Sequence, residues 1–147
     1  MIEVSCVIII KDSKILAVQR GPKSSHPLKW EFPGGKIQVN ETAVQCVVRE
    51  IEEELSIRLD VLSQIEYVEF AYGTKQIRLI PFICKINSGE LILTEHVSKR
   101  WFNLNEWQTI NWSGADYELV LKNQERINQE LKFRSRFDDD NTFYLTK

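Results

Sequence analysis

Residues 35–57 read GKIQVNETAVQCVVREIEEELSI, and no other stretch constrains the fold and the chemistry as tightly. Asn40 is a favoured N-cap, and from Glu41 to Leu55 the apolar residues Val44, Val47, Val48, Ile51 and Leu55 recur at steps of three and four, which predicts an amphipathic helix. The same helix carries Arg49, Glu50, Glu52, Glu53 and Glu54. At about 100° per residue, with Glu50 at zero, Glu53 falls at roughly 300°, Glu54 at roughly 40° and Glu52 near roughly 200°, beside an apolar stripe spanning roughly 60–160°. Glu50, Glu53 and Glu54 therefore share one arc, Arg49 is placed to brace them, and Glu52 reads as an ordinary solvated acid. Carboxylates this crowded repel one another. Hard divalent cations, which take oxygen ligands and leave positions open for water and phosphate oxygens, are their natural partners.

Upstream, Val4 to Ile10 and Ile15 to Arg20 are β-rich runs around the polar turn KDSK, which predicts a hairpin. Residues 21–29, GPKSSHPLK, sustain neither period and read as a loop. Trp30 to Phe32 is a short extended piece halted by Pro33-Gly34-Gly35. Downstream, Leu59 to Phe70 and Gln76 to Ile86 are strand-like runs joined at AYGTK, followed by a turn at Asn87-Ser88-Gly89. Ser98 to Phe102 is a further strand, Leu104 to Gln108 a helical turn, and Asp116 to Leu131 a second helix with Leu119, Val120, Ile127 and Leu131 inward. Hairpins combined with a loop-to-helix crossover predict a mixed sheet with helices packed on it.

The chain has 147 residues, 43% hydrophobic and 27% charged, which suits one globular domain over 1–147 with residues 132–147 as a loosely held tail. A formal charge of -2 offers no basic stripe for a nucleic-acid polymer, so any nucleotide handled is a free one. Cys6, Cys46 and Cys84 are widely spaced and odd in number, and read as reduced, buried thiols. The N-terminal run lacks a basic leader and a cleavage site, and no stretch reaches the length of a membrane span. A cytoplasmic protein without a membrane partner, monomeric or homodimeric, is expected.

The spacings of six from Gly35 to Glu41 and eight from Glu41 to Arg49, followed by Glu50, Ile51, Glu53 and Glu54, resemble the Nudix box of the Nudix hydrolases, G-x5-E-x7-R-E-U-x-E-E-x-G-U with U a bulky aliphatic. Every defined position matches except the final glycine, replaced by Ser56 at the helix end. The resemblance extends over most of residues 3–131 and implies an α/β fold, an α/β/α sandwich around a mixed β-sheet. It further implies Mg²⁺, with Mn²⁺ as the alternative ion, held by Glu50, Glu53, Glu54 and the Gly34 carbonyl. Arg49 would orient the acids, and Glu50 and Glu53 would serve catalysis. WEFPGGK before the box, Glu95-His96 and Ala115-Asp116 resemble the MutT-like branch, which hydrolyses nucleoside triphosphates to monophosphates and pyrophosphate. That resemblance adds Glu95 as a metal ligand from a loop, Arg20 as a phosphate contact, and Glu31, Phe32, Pro33 and Gly34 along the nucleotide site. A phosphate-contacting histidine of some members falls at Ser25, with His26 adjacent.

Members of the branch read the base with Asn or Asp at the Asp116 position; the plainer role of such a residue is a helix N-terminal acid. An ionised carboxylate only accepts hydrogen bonds. Guanine offers two acceptors on its Hoogsteen edge; oxidation to 8-oxoguanine turns N7 into a donor, and cytosine also offers a donor, its N4 amino group. The expected substrate is 8-oxo-dGTP, in nucleotide-pool sanitation, with CTP or a modified dCTP as the alternative. A non-catalytic nucleotide-binding module of the same fold would be expected to lack box acids, and all are present here. Trp101, Trp107 and Trp112 read as core rather than as stacking platforms.

Overall fold

The computed structural model describes the backbone of residues 1–145 and the side chains of residues 1–136. Its elements run β1 (Ile2–Lys11), β2 (Lys14–Gln19), β3 (Trp30–Glu31), β4 (Gly34–Lys36), α1 (Ala43–Leu55), β5 (Arg58–Gln64), β6 (Val68–Tyr72), β7 (Lys75–Ser88), β8 (Ser98–Phe102), a 3-10 turn (Leu104–Thr109) and α2 (Gly114–Leu145). β1 and β2 close a two-residue hairpin in which Asp12 and Ser13 both take positive φ, 50° and 62°, as a type I′ turn requires. β1 then runs parallel to β7 and antiparallel to β4, while β5 and β6 both pair antiparallel with β7, and β3 and β8 with β2. The sheet is mixed, as expected.

Alternation along β1 and β2 sorts the core into two layers. Cys6, Ile8, Ile10, Ile15 and Ala17 join Leu119, Val120, Ile127 and Leu131 of α2, whereas Val7, Ile9, Leu16 and Val18 join Val47, Ile51 and Leu55 of α1. This is the α/β/α sandwich. Trp107 and Trp112 are buried in the α2 layer, and all three cysteines are buried and free. No helix of the described residues is long and apolar enough to cross a membrane.

Several sequence expectations are corrected. α1 is capped by Thr42 in a capping box with Gln45, not by Asn40, which is held at a φ of 64° outside the helix. The run from Leu59 to Phe70 divides into β5 and β6, because Ile65 leaves the ladder and bonds the Pro81 carbonyl from outside a strand. Val44 and Val48 are exposed, while Cys46 and Glu54 are buried. The helix is thus rotated away from a purely apolar seat, with its buried arc shifted toward the glutamates. α2 passes the expected stop at Leu131; no glycine or proline interrupts residues 115–145, and Glu130 pairs one helical turn away with both Arg126 and Arg134. Of the expected loose tail, the side chains from 137 and all of residues 146–147 lie outside the described residues.

Ser56 fills the glycine position at the end of α1 in the left-handed region, φ 60° and ψ 29°, with its N–H on the Glu52 carbonyl. Ser56→Gly should relieve that conformation and stabilise the protein by about 0.5–1 kcal/mol, a rise of roughly 2–4 °C in Tm. Calorimetry of the two proteins would check it, and an unchanged or lower Tm would show that the serine is unstrained there.

Candidate active site

The box residues assemble around Arg49. Its Nε and Nη2 donate to the two carboxylate oxygens of Glu41 at 2.7 and 3.0 Å, and Nη1 reaches Glu50 Oε1 at 2.9 Å and Glu53 Oε2 at 3.5 Å. Glu41 also accepts the Gln38 N–H, and the Arg49 bonds together with that one hold its carboxyl at about 2. The predicted brace exists, yet its strongest partner is Glu41, which the sequence showed only as a spacing. Gly35 is explained by the same cluster: a side chain there would collide with the Glu50 carboxylate, and one at Gly34 with the Ser5 carbonyl.

Glu54 sits beyond the reach of this arginine. It is 5% exposed, and its Oε2 has no hydrogen-bond partner among the described residues. Burial, then the charges of Glu95, Glu50 and Glu31, push its carboxyl up to about 9. A buried, unpaired carboxylate among three other acids lacks a cation, and a divalent metal with oxygen ligands fits that need. The acids do not form a closed cluster: no three acidic, histidine or cysteine side chains of the described residues converge as a ready-made cation cage. Glu50 is turned onto Arg49, and Glu53, expected in the same arc, stands 61% exposed at the surface. Glu95 is exposed on the 89–97 loop between β7 and β8. Glu54, together with Glu50 and Glu95 whose charges act on it, are the acids that could hold a metal.

Beside the acids, a cleft of about 360 Å³ opens between the first halves of β1 and β7, the 30–36 segment and the head of α2. It brings together Arg20, Glu31, Phe32, Gly34 and Asp116. Glu31 accepts from Arg20 Nη1 at 3.0 Å and pairs with His96 Nε2 at 2.9 Å, and Arg20 Nη2 reaches Ser25 Oγ at 3.2 Å. Phe32 is buried, with its ring stacked on Trp112 and its N–H donating to Asp116 Oδ2 at 2.9 Å. Burial, followed by the Glu31 charge, raises the Asp116 carboxyl well above the usual range. Asp116 is therefore no solvated helix-end acid. Pro33 does not line the cleft; it is buried, with its carbonyl taken by the Val7 N–H at 3.0 Å.

Sequence reading missed Tyr72 and Lys75, which line the cleft from the β6–β7 hairpin. Tyr72 packs its ring on His26, with centroids 4.6 Å apart, and its hydroxyl accepts the Ala115 N–H at 2.7 Å. AYGTK carries only a turn signal, so nothing in the sequence points to either residue.

The model of the NUDIX domain matches residues 1–122. The CTP pyrophosphohydrolase of Escherichia coli K12 is 33% identical over 120 residues, 82% of this chain and 89% of that enzyme. The 8-oxo-dGTP diphosphatase of the same organism is 31% identical over 116 residues, 79% of this chain and 90% of that enzyme. A solution structure from Staphylococcus aureus, described as the DNA mismatch repair protein MutT of the Nudix hydrolase family, superposes with a TM-score of 0.67 at 42% identity, covering 82% of this chain and 93% of that one. The chain belongs to the Nudix family. Within that family it is a MutT-like hydrolase, and hydrolases of the family use divalent metal ions and act on small nucleotide substrates.

Glu54 generates a pH prediction. Its folded value, about 9, lies above the ordinary value of 4.5, so between the two the folded chain binds the extra proton. Stability from this group is full below about 4.5 and is lost as pH rises through about 9. The metal-free protein should therefore melt lower at pH 8 than at pH 6. Glu54→Gln should flatten that slope and add roughly 1–3 kcal/mol at pH 8, the cost of an unsatisfied buried group. Melting scans of both proteins in chelator across this range test it, and parallel curves would sink it.

Proposed function

We propose that this chain is a Mg²⁺-dependent nucleoside triphosphate pyrophosphohydrolase that clears 8-oxo-dGTP from the cytoplasmic nucleotide pool. The observation that carries the reading is the buried Asp116 carboxyl, which lines the cleft and is fixed on the Phe32 backbone. The carboxyl oxygen not bonded to Phe32 accepts from N7–H of 8-oxoguanine. Normal guanine, with acceptors at both N7 and O6, offers that oxygen no donor. The likeness to the E. coli 8-oxo-dGTP diphosphatase supports the same reading.

A second reading, CTP or a modified dCTP, is favoured by the likeness to the E. coli CTP pyrophosphohydrolase. The N4 amino group of cytosine also donates to a carboxyl oxygen.

In the favoured reading Glu50, Glu54, Glu95 and the Gly34 carbonyl hold the metal, with Glu53 as a further ligand or as the acceptor of the proton from water. Mg²⁺, when bound, draws charge from the phosphate oxygens and lowers the pKa of the attacking water. Arg49 keeps Glu50 in place while staying anchored on Glu41. Arg20, braced by Glu31 and Ser25, presents its remaining N–H groups to phosphate, and its buried Nε has no partner among the described residues. Water adds to phosphorus, the anhydride bond breaks, and the products are a nucleoside monophosphate and pyrophosphate.

Purified protein incubated with Mg²⁺ and 8-oxo-dGTP, dGTP, CTP, dCTP, 5-methyl-dCTP or ADP-ribose, with pyrophosphate and phosphate measured separately, should show the highest kcat/KM and pyrophosphate release with 8-oxo-dGTP. Preference for a cytosine nucleotide selects the second reading, and no turnover of any triphosphate overturns both. Glu54→Gln should lower kcat by orders of magnitude. Asp116→Ala should cut the preference for the oxidised base over dGTP by about tenfold, roughly one hydrogen bond; an equal loss on every substrate would mean that Asp116 serves only to hold Phe32.

A further inference from the structure

Glu95 lies on a loop without regular structure, residues 89–97, and an exposed side chain on such a loop is a poor metal ligand unless something fixes the backbone beneath it. The loop is tied on both sides of Glu95. On one side the Ile92 N–H bonds the Leu55 carbonyl at 2.9 Å and the Thr94 N–H bonds the Glu54 carbonyl at 3.1 Å, while Thr94 Oγ1 reaches the Glu53 and Glu54 carbonyls at 3.1 Å each. These are carbonyls of the last turn of α1, which have no partner within the helix. On the other side the His96 ring, 6% exposed, meets Glu31 at 2.9 Å, and the Val97 N–H bonds the Gln19 carbonyl at 3.0 Å. A carboxylate only accepts, so His96 donates from Nε2.

We propose that Thr94 and His96 are positioning residues that hold Glu95 toward the metal face, Thr94 by stapling the loop to the end of the box helix and His96 by stapling it to Glu31, which lines the cleft. The two staples land on different parts of the site. Thr94 grips the backbone of Glu53 and Glu54 themselves, so the loop and the helical acids move as one body. His96 grips the carboxylate that also braces Arg20, so the loop is tied to the phosphate-binding end of the cleft. Neither side chain touches substrate or metal in this role. The inference rests on the reading of Glu95 as a metal ligand.

The test is Mn²⁺ binding to the nucleotide-free protein, read by electron paramagnetic resonance, with circular dichroism to confirm folding. Glu95→Gln, His96→Ala, His96→Gln and Thr94→Val are compared, together with the kcat and KM of each for the preferred triphosphate. Loss of a group that orients a metal ligand weakens binding about 10- to 100-fold. His96→Ala should weaken Mn²⁺ by about tenfold, His96→Gln should recover part of the loss, and Thr94→Val, which keeps shape but removes the hydroxyl, should weaken it in the same direction. In the Glu95→Gln background His96→Ala should cost nothing further in Mn²⁺ affinity. If Glu95→Gln weakens Mn²⁺ while His96→Ala and Thr94→Val do not, the positioning role is overturned. If Glu95→Gln itself binds Mn²⁺ normally, the ligand reading beneath it falls as well.

Discussion

The bidentate pair between Arg49 and Glu41 is the interaction on which the rest of the site depends. It joins the loop after β4 to the second turn of α1, and in doing so fixes the rotation of the helix about its axis. That rotation sets Glu50 over Gly35 and buries Glu54, and it leaves Val44 and Val48 facing water. An amphipathic helix left to its own hydrophobic pattern would seat both valines. Exposure of both while a glutamate is buried is a local inconsistency of the kind that functional sites keep. Because the guanidinium is fully engaged by Glu41 and Glu50, it does not neutralise Glu54. The fold thereby leaves Glu54 buried without a cationic partner, its carboxyl pushed toward the neutral form.

The order of strands and helices was legible in the sequence because period two and period 3.6 alternate cleanly, and the Asp12-Ser13 turn marks where the chain reverses; Gly34-Gly35, read as a halt, instead opens β4 and pairs with β1. The acids of the box were legible because their spacing is rigid. Three things were not. The helix start lay at Thr42, since Asn40 and Thr42 are both acceptable caps and only the reciprocal bonds with Gln45 choose between them. The division of β5 from β6 is imposed by the partner β7, which pairs with each along a different part of its length. The roles of Glu41, Tyr72, Lys75 and His96 depend on contacts across the chain, such as that between residues 31 and 96, which no local pattern encodes.

Asp116 illustrates how structure changes the chemistry assigned to a residue that the sequence had located. As an exposed helix-end acid it would be ionised and could only accept. Buried and near Glu31, its carboxyl is pushed toward the neutral form and its orientation is fixed. One oxygen remains committed to the Phe32 N–H, so only part of the carboxyl is free for a base. In the proposed reading selectivity comes from a single edge with fixed orientation, backed by the stack of Phe32 on Trp112.

In the proposed reading the metal face and the base-reading end of the cleft are held in register by one extended segment, residues 30–36. Trp30 joins it to Asn111 and Ser113 at the head of α2, Glu31 gathers Arg20 and His96, Phe32 meets Asp116, Pro33 bonds Val7 of β1, and Gly35 lies under Glu50. Successive residues of an extended chain point to opposite faces, so a slip of one position would exchange every one of these partners. Pro33 and the two glycines guard against that slip: Gly34 has no room for a side chain beside Ser5, and Gly35 none beside Glu50. In the proposed reading the spacing between Asp116 and the acids is thus set by backbone registry on the sheet rather than by flexible side chains. Pairing of β4 with β1 and of β3 with β2 aligns the cleft, while the Arg49–Glu41 pair orients the helix that carries the acids beside it.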